Sequence, residues 1–310
     1  MPDLSVVVPI YNEEENIDLL HQRLRAVLEG MRVSWEMIFV NDGSRDRSLE
    51  MIRALAEEHA EIKYIDFSRN FGHQIAVTAG LDHAAGLALV IIDADLQDPP
   101  ELIPELYEKL RSGYEVVYAR RKKRAGETVF KTWTARMFYR ILRNLTSVDI
   151  PVDTGDFRII DRKIVEVLRR MPEQNKFLRG QISWIGFRQT FIEYERAERH
   201  GGETGYTVRK MMRFALDGIT GFSDVPLKIV TYFGFIVTFF AFVVLGYVIY
   251  SRFILQDYVQ GWASLMLTIL FIGGIQMIGI GIIGEYLSRM NNNLRNRPLY
   301  IVRDTNIRTS

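Results

Sequence analysis

Asp93 and Asp95 stand two residues apart where the apolar run Leu87–Ile92 ends, and they are the clearest candidates for chemistry in the chain. On an extended segment, side chains two apart project the same way, so both carboxylates can be presented together at the carboxyl end of a buried strand. Two convergent carboxylates and the amide oxygen of Gln97 suit a hard divalent cation, Mg2+ or Mn2+, which usually keeps open positions for substrate phosphates. The plainer alternative is that the acids only end a strand and Asp98-Pro99-Pro100 forms a turn and a helix start.

Other stretches offer fewer signals. Asp42-Gly43-Ser44 is a turn by composition, in which Asp42 can accept hydrogen bonds from a base or a ribose. His73 follows Arg69-Asn70-Phe71-Gly72 at a helix start and, as a lone histidine, is read as structural. Arg120-Arg121-Lys122-Lys123-Arg124 is a basic run that leads into a helix carrying Phe130, Trp133, Met137, Phe138, Ile141, Leu142 and Leu145 beside Lys131, Arg136, Arg140 and Arg143. Such a stripe suits either a membrane interface, with cations toward a lipid phosphate, or ordinary core packing. Asp156 lies at the mouth of a short strand, 154–160, and Arg199 lies in the glycine-rich loop 198–206, which could close on a ligand.

These residues need a scaffold, and a strand–helix alternation supplies it. Apolar runs at Leu4–Ile10, Trp35–Val40, Ile62–Phe67, Leu87–Ile92 and Val116–Ala119 read as strands, and Glu13–Leu28, Ser48–His59, Gln74–Ala85 and Pro100–Arg111 read as helices. Arg188–Glu195 reads as a last strand. The pattern predicts an α/β domain with a mostly parallel sheet and a ligand at the carboxyl ends of the strands, where the acids are. The first strand–helix turn has no G-x-G-x-x-G cradle and there is no Walker loop, so a phosphate ligand needs a metal or arginines as its positive charge.

The chain has 310 residues, 48% of them hydrophobic and 25% charged, with a net charge of +1 and no cysteine. The near balance argues against a nucleic-acid partner, and the lack of cysteine removes disulfides, thiolate catalysis and cysteine-ligated zinc. The charge is unevenly spread. Ile229–Tyr250 and Ala263–Ile283 carry none and are long enough to cross a bilayer, with Tyr232, Tyr247, Tyr250, Trp262 and Tyr286 at their edges. Arg209, Lys210, Arg213 and Lys228 precede the first span and Arg289, Arg295, Arg297 and Arg303 follow the second, whereas the connection has Arg252 against Asp257. That asymmetry predicts a multi-pass protein of the inner (plasma) membrane, with the large domain and both termini cytoplasmic. The expected organisation is a catalytic domain at 1–205, an interfacial helix at 206–227, two spans within 228–287 (about 229–250 and 263–284) and a cytoplasmic tail at 288–310. Small residues at Gly273-Gly274 and from Gly279 to Gly284 permit close helix packing, so a homo-oligomer is expected.

Four segments taken in order resemble the inverting glycosyltransferase family 2: Val6-Val7-Val8-Pro9-Ile10-Tyr11-Asn12-Glu13-Glu14, Val40-Asn41-Asp42-Gly43-Ser44, Asp93-Ala94-Asp95-Leu96-Gln97-Asp98-Pro99-Pro100 and Gly155-Asp156-Phe157-Arg158. With the two-span hairpin, the chain is most similar to polyprenyl-phosphate glycosyltransferases of the GtrB-type bactoprenol glucosyltransferase group, and also resembles dolichol-phosphate mannose synthases. The resemblance implies a GT-A (Rossmann-like) fold and inverting, metal-dependent transfer of a hexose, glucose from UDP-glucose, to polyprenyl (undecaprenyl) phosphate. By position it implies nucleotide-sugar contacts at Pro9, Tyr11, Glu13, Val40, Asp42, Asp93 and Ala94, and phosphate contacts at Arg120 and Arg199. It further implies a metal held by Asp93, Asp95 and Gln97, catalytic roles for Asp156 and Asp95, and a lipid-phosphate site at Lys131, which Arg136 would complete. The loop after Arg199 has Gly205 where the family often has lysine, which leaves one expected phosphate contact unfilled. The rivals are a GDP-mannose-dependent mannosyltransferase and, from another class, a non-catalytic membrane scaffold. A processive synthase is disfavoured, because Gln-x-x-Arg-Trp is missing.

Overall fold

A computed structural model describes residues 1–122, 154–195, 223–250 and 261–307. Its centre is an eight-stranded sheet: β1 (Leu4–Ile10), β2 (Trp35–Asn41), β3 (Ile62–Phe67), β4 (Ala88–Ile91), β5 (Val116–Arg121), β6 (Thr154–Asp161), β7 (Gln189–Tyr194) and β8 (Val302–Thr305), in the order β7-β5-β6-β4-β1-β2-β3-β8. The expected parallel core is present, with β1 between β2 and β4 and β3 beside β2. All seven residues of β1 are buried. A strand covered on both faces has no solvent side to alternate with, so it reads as one apolar run.

Helices α1 (Ile17–Gly30), α2 (Ser48–Glu58), α3 (His73–His83) and α4 (Ile103–Arg111) lie between the strands, and α5 (Arg162–Arg169) and α6 (Leu178–Ile185) follow β6. In α1 the buried positions Ile17, Leu20, Leu24 and Leu28 recur at helical spacing and join one core with β1, β2 and β4. The other face of the sheet packs on α3 through Ala76, Val77 and Ala79.

Two features depart from the expected layout. Strand β6 enters between β4 and β5 and runs antiparallel to both. Residues 288–310 are not a simple tail either, because Val302–Thr305 pair antiparallel with β3 and close the sheet as its last strand. Together the strand directions put the carboxyl ends of β1–β5 and β7 and the amino ends of β6 and β8 at one end of the sheet.

Helices α7 (Val225–Tyr250) and α8 (Trp262–Leu294) follow, with 26 and 33 residues. At 1.5 Å per residue they measure about 39 and about 50 Å, against a hydrocarbon layer of about 30 Å. Their apolar stretches Val225–Val244 and Phe271–Leu294 are 0% and 6% buried. A soluble core helix of this composition would be covered, so these two helices need a lipid solvent. They touch at Gly279, where an added Cβ would lie 3.0 Å from Cγ1 of Val230, and the Tyr286 hydroxyl donates to the Ser223 carbonyl at 2.6 Å. Both helices begin before the expected spans; α7 ends at Tyr250 as expected, whereas α8 continues past 284 to Leu294 and carries the Glu285–Arg289 ion pair.

Candidate active site

Strands β1, β2 and β4 release their chains into three neighbouring turns, and these turns with the start of α3 enclose a cleft of about 290 Å3. Of the residues singled out in the sequence, Pro9, Tyr11, Glu13, Asp42, Asp93, Ala94 and Asp95 all line it. Ile10, Asn70, Gly72, His73 and Ala76 complete the wall. The turns brace one another: the Asn12 amide donates to Ser44 Oγ at 3.0 Å and the Ser44 amide to Asn41 Oδ1 at 3.2 Å. Asp42 accepts the Phe71 and Gly72 amides at 2.6 and 2.9 Å on its two oxygens, which ties the β2 turn to the entry of α3. Burial raises the pKa of Asp42 despite these amides. Gly43 has φ +68°, and a Cβ there would lie 2.6 Å from the Arg69 carbonyl carbon, so the close approach of these two turns requires glycine.

Val40 is a core side chain, fully buried with Val7 and α3, and it does not line the cleft. Neither does Gln97, whose backbone N–H donates to Asp95 Oδ1 at 3.1 Å across a turn that puts Leu96 at φ +57°. Asp93 and Asp95 therefore leave an extended strand for a turn, yet both still face the cleft. Arg120 turns the other way: it pairs with Glu193 and stacks its guanidinium 3.5 Å from the Phe191 ring centre. Its neighbour Arg121 faces the site side, 3.3 Å from the Tyr194 hydroxyl and 3.9 Å from buried Asp98. Side chains alternate along a strand, so a basic pair always sends one member to each face, and register chooses which. Arg199, Lys131, Arg136 and most of the expected interfacial helix lie outside the described residues.

The densest electrostatic cluster surrounds Asp156, at the start of β6. Its Oδ1 receives Arg179 Nε at 2.9 Å and Arg158 Nη2 at 3.1 Å, and its Oδ2 meets His73 Nε2 at 3.0 Å and Gln74 Nε2 at 3.3 Å. Arg158 is 1% exposed and also donates to the carbonyls of Gly155 and Asp156. Burial by itself would raise the Asp156 carboxyl, but the His73 hydrogen bond and the two arginine charges outweigh it and hold the group well below the usual range. His73 shows the converse. Burial opposes its charge, yet Asp156 and Asp93 push it up to about 9.

His73 is thus the residue that sequence reasoning set aside. It gave no signal because its partners, Asp93 and Asp156, arrive from β4 and from 83 positions away. Asp93 sits 3.6 Å from His73 Nε2, its Oδ1 is buried without a hydrogen bond, and burial with the nearby carboxylates pushes it up to about 6. Ligand atoms of His73, Asp93 and Asp156 lie within 4.8 Å of one another, which makes them the convergent metal-type group among the described residues. This set differs from the expected Asp93, Asp95 and Gln97 and shares only Asp93 with it. Asp156 is already held by two arginines and His73, whereas Asp93 keeps a buried oxygen without a hydrogen bond, so Asp93, with Asp95 on the same wall, offers the better site for a divalent cation. The orphaned oxygen of Asp93 is the feature that fits such an ion.

Residues 5–169 match the family model described as glycosyl transferase family 2. Over 298 residues the chain is 51% identical to "Uncharacterized glycosyltransferase YkcC" of Bacillus subtilis (strain 168), covering 96% of this chain and 92% of that one. It is 42% identical to the "Prophage bactoprenol glucosyl transferase homolog" of Escherichia coli (strain K12), over 97% of this chain and 98% of that one. A "Bactoprenol glucosyl transferase" of Shigella phage SfII is 40% identical, with 97% of each chain covered.

Proposed function

The chain belongs to glycosyl transferase family 2 and is a glycosyltransferase of GT-A fold, and on that premise we propose that it transfers glucose from UDP-glucose, with inversion, to a polyprenyl phosphate at the cytoplasmic membrane face. The observation that carries this reading is the convergence of Pro9, Tyr11, Glu13, Asp42, Asp93, Ala94 and Asp95 on one cleft at the carboxyl ends of β1, β2 and β4. The names of the relatives support glucose and the bactoprenol acceptor.

In this reading Tyr11, a residue 45% exposed at the cleft wall, offers its ring to the base. Asp42 holds the turns in place, and its oxygens keep further lone pairs for the base or ribose. Asp93 and Asp95 would hold Mg2+ or Mn2+, which would supply positive charge to stabilise the departing nucleoside diphosphate. The acceptor is a phosphate monoester with a second pKa near ~6, largely dianionic at neutral pH, so it needs positioning more than deprotonation. A carboxylate held as low as Asp156 is a weak base. Asp156 acts as the anionic hub that fixes His73 and Arg179 beside the sugar, while Lys131 and Arg136 receive the lipid phosphate.

Sheet continuity supports the membrane arrangement independently of loop charge. Strands β1–β7 and β8 belong to one sheet although α7 and α8 separate them in sequence, which supports a hairpin of two crossing helices with both parts on one side of the membrane. With basic residues flanking the spans on that side, it is the cytoplasmic one. Single cysteines introduced into the cysteine-free chain test this. A membrane-impermeant maleimide added to intact cells should label a position in 256–261 and not one in 306–310; the reverse pattern refutes the arrangement. The reaction itself requires that sugar from UDP-glucose be recovered with the lipid, and sugar that stays in water contradicts it.

A further inference from the structure

The segment that follows α8 is built into the walls of the cleft. Six residues after Leu294, Tyr300 stacks on Phe67 with ring centres 5.2 Å apart, and Phe67 meets Phe71 edge-on at 5.5 Å. The Ser68 amide donates to the Ile301 carbonyl at 3.0 Å, and Arg303 Nη2 donates to the Ser68 carbonyl at 2.6 Å. From Phe71 the path is one bond long, since its amide is held by Asp42 at the cleft.

A second path starts from the same arginine. Asp66 is 0% exposed, its Oδ2 makes no hydrogen bond, and Arg303 Nη1 at 3.7 Å is the cation paired with it among the described residues. Asp66 Oδ1 accepts from Asn41 Nδ2 at 2.7 Å, Asn41 Oδ1 accepts the Ser44 amide, and Ser44 Oγ accepts the amide of Asn12, which lies between cleft residues Tyr11 and Glu13. Both paths end on the turns that shape the cleft.

We propose that Tyr300–Thr305 is a positioning element of the donor site, with Arg303 as its positioning residue, so that the strand arriving from the membrane hairpin sets the geometry in which the nucleotide sugar binds. The inference rests on the reading of the cleft as the nucleotide-sugar site. A buried carboxylate that loses the cation paired with it is strongly unfavourable, and it relaxes by drawing in water or turning its remaining partner. Here that partner is Asn41, whose other end holds the β2 turn. A small displacement of such a support misplaces the turns that meet the donor and weakens its binding, although the group touches no substrate. Neither path runs through Lys131 or Arg136, the residues proposed to receive the lipid phosphate.

The test uses the full-length chain in detergent, with KM measured separately for UDP-glucose and for polyprenyl phosphate. Arg303→Met is expected to raise the UDP-glucose KM roughly 5- to 10-fold while kcat and the lipid KM stay within about 2-fold. Arg303→Lys should stay within about 2-fold of wild type throughout, and Asp66→Asn combined with Arg303→Met should recover most of the donor KM, because no buried charge is then stranded. Tyr300→Leu, which removes the stack on Phe67 and the 3.1 Å hydrogen bond from its hydroxyl to Asp82 Oδ2 but changes no formal charge, provides a second variant and should raise the donor KM about 3-fold. An unchanged donor KM in Arg303→Met, equal rises in both KM values, or no recovery in the double variant overturns the proposal. If Arg303→Met fails to fold, an unchanged donor KM in Tyr300→Leu overturns it. A wild-type chain that shows no saturable use of UDP-glucose defeats the reading of the cleft, and this inference falls with it.

Discussion

Asp93→Asn is expected to lower turnover about 100- to 1,000-fold, in the range that loss of one preorganised charge-stabilising group produces, while the protein folds and inserts with a melting temperature equal to or above wild type. The two halves of this expectation have one physical origin. Asp93 has a buried Oδ1 without a hydrogen bond, and burial together with the carboxylates of Asp156, Asp98 and Asp95 pushes it up to about 6. Its native pKa lies above the unfolded value of 3.8, so any stability it gives is present below pH 3.8 and lost as pH rises through about 6. At neutral pH the ionised group works against the fold. Asparagine keeps the volume, removes the charge and also removes the anionic ligand that a divalent cation needs. Thermal melts without added metal and initial rates at saturating Mn2+ check the two halves. Near-wild-type turnover at saturating Mg2+ and Mn2+ would sink the assignment of Asp93 to the metal, and a large fall in melting temperature would show that the carboxylate is structural.

Asp156→Asn should behave differently, with stability and turnover falling together. This carboxylate carries two arginines and a histidine, and one of the arginines, Arg158, is 1% exposed. Removing one member of a buried pair leaves an uncompensated charge, at a cost of about 3–5 kcal/mol. The Asp156 pKa is depressed in the fold, so its contribution is present above the unfolded value of 3.8 and is lost as pH falls through the native value; the stability gap between wild type and Asp156→Asn is therefore full at neutral pH and closes only in acid. Turnover falls about 100-fold, because Arg179 and His73 lose the anchor that aims them, while UDP affinity stays within about 3-fold. Adding Arg158→Met separates the two losses. It should restore the melting temperature, by removing the stranded cation, and leave kcat low. If the double variant recovers both, Asp156 serves only the fold; if Asp156→Asn is as stable as wild type, the hub described here does not exist.

The parts of this arrangement that sequence made legible are those that local rules decide. The apolar run Leu4–Ile10 can only be a strand covered on both sides, and Asp93 and Asp95 at the end of another such run had to emerge at the carboxyl edge of the sheet, where the cleft is. What stayed hidden depended on register or on distant partners. The basic pair Arg120-Arg121 shows that two faces receive a cation but not which one, and only the pairing of Arg121 with Tyr194 on β7 puts Arg121 toward Asp98. Strand β6 separates β4 from β5, an antiparallel insertion that strand–helix alternation cannot announce. Strand β8 is four residues long and reads Val-Arg-Asp-Thr. An edge strand of that length is held by ladder bonds and by side chains such as Arg53 on Asp304 rather than by apolar burial, so hydrophobic patterning passes over it. His73 is invisible for the same reason as Arg303: its meaning comes from carboxylates that folding brings to it.

The central claim concerns which sugar leaves which nucleotide and what receives it, and one measurement addresses all three. Purified full-length chain is incubated with Mn2+ and one radiolabelled nucleotide sugar at a time, UDP-glucose or GDP-mannose, with polyprenyl phosphate, a free sugar or a polysaccharide end as acceptor, and the organic and aqueous phases are counted. The account predicts label in the organic phase from UDP-glucose with polyprenyl phosphate, none without the lipid phosphate, and loss of the signal when the cation is chelated. Equal transfer to a free sugar or a polysaccharide end, lipid labelling from GDP-mannose instead of UDP-glucose, or no transfer from either donor would contradict it.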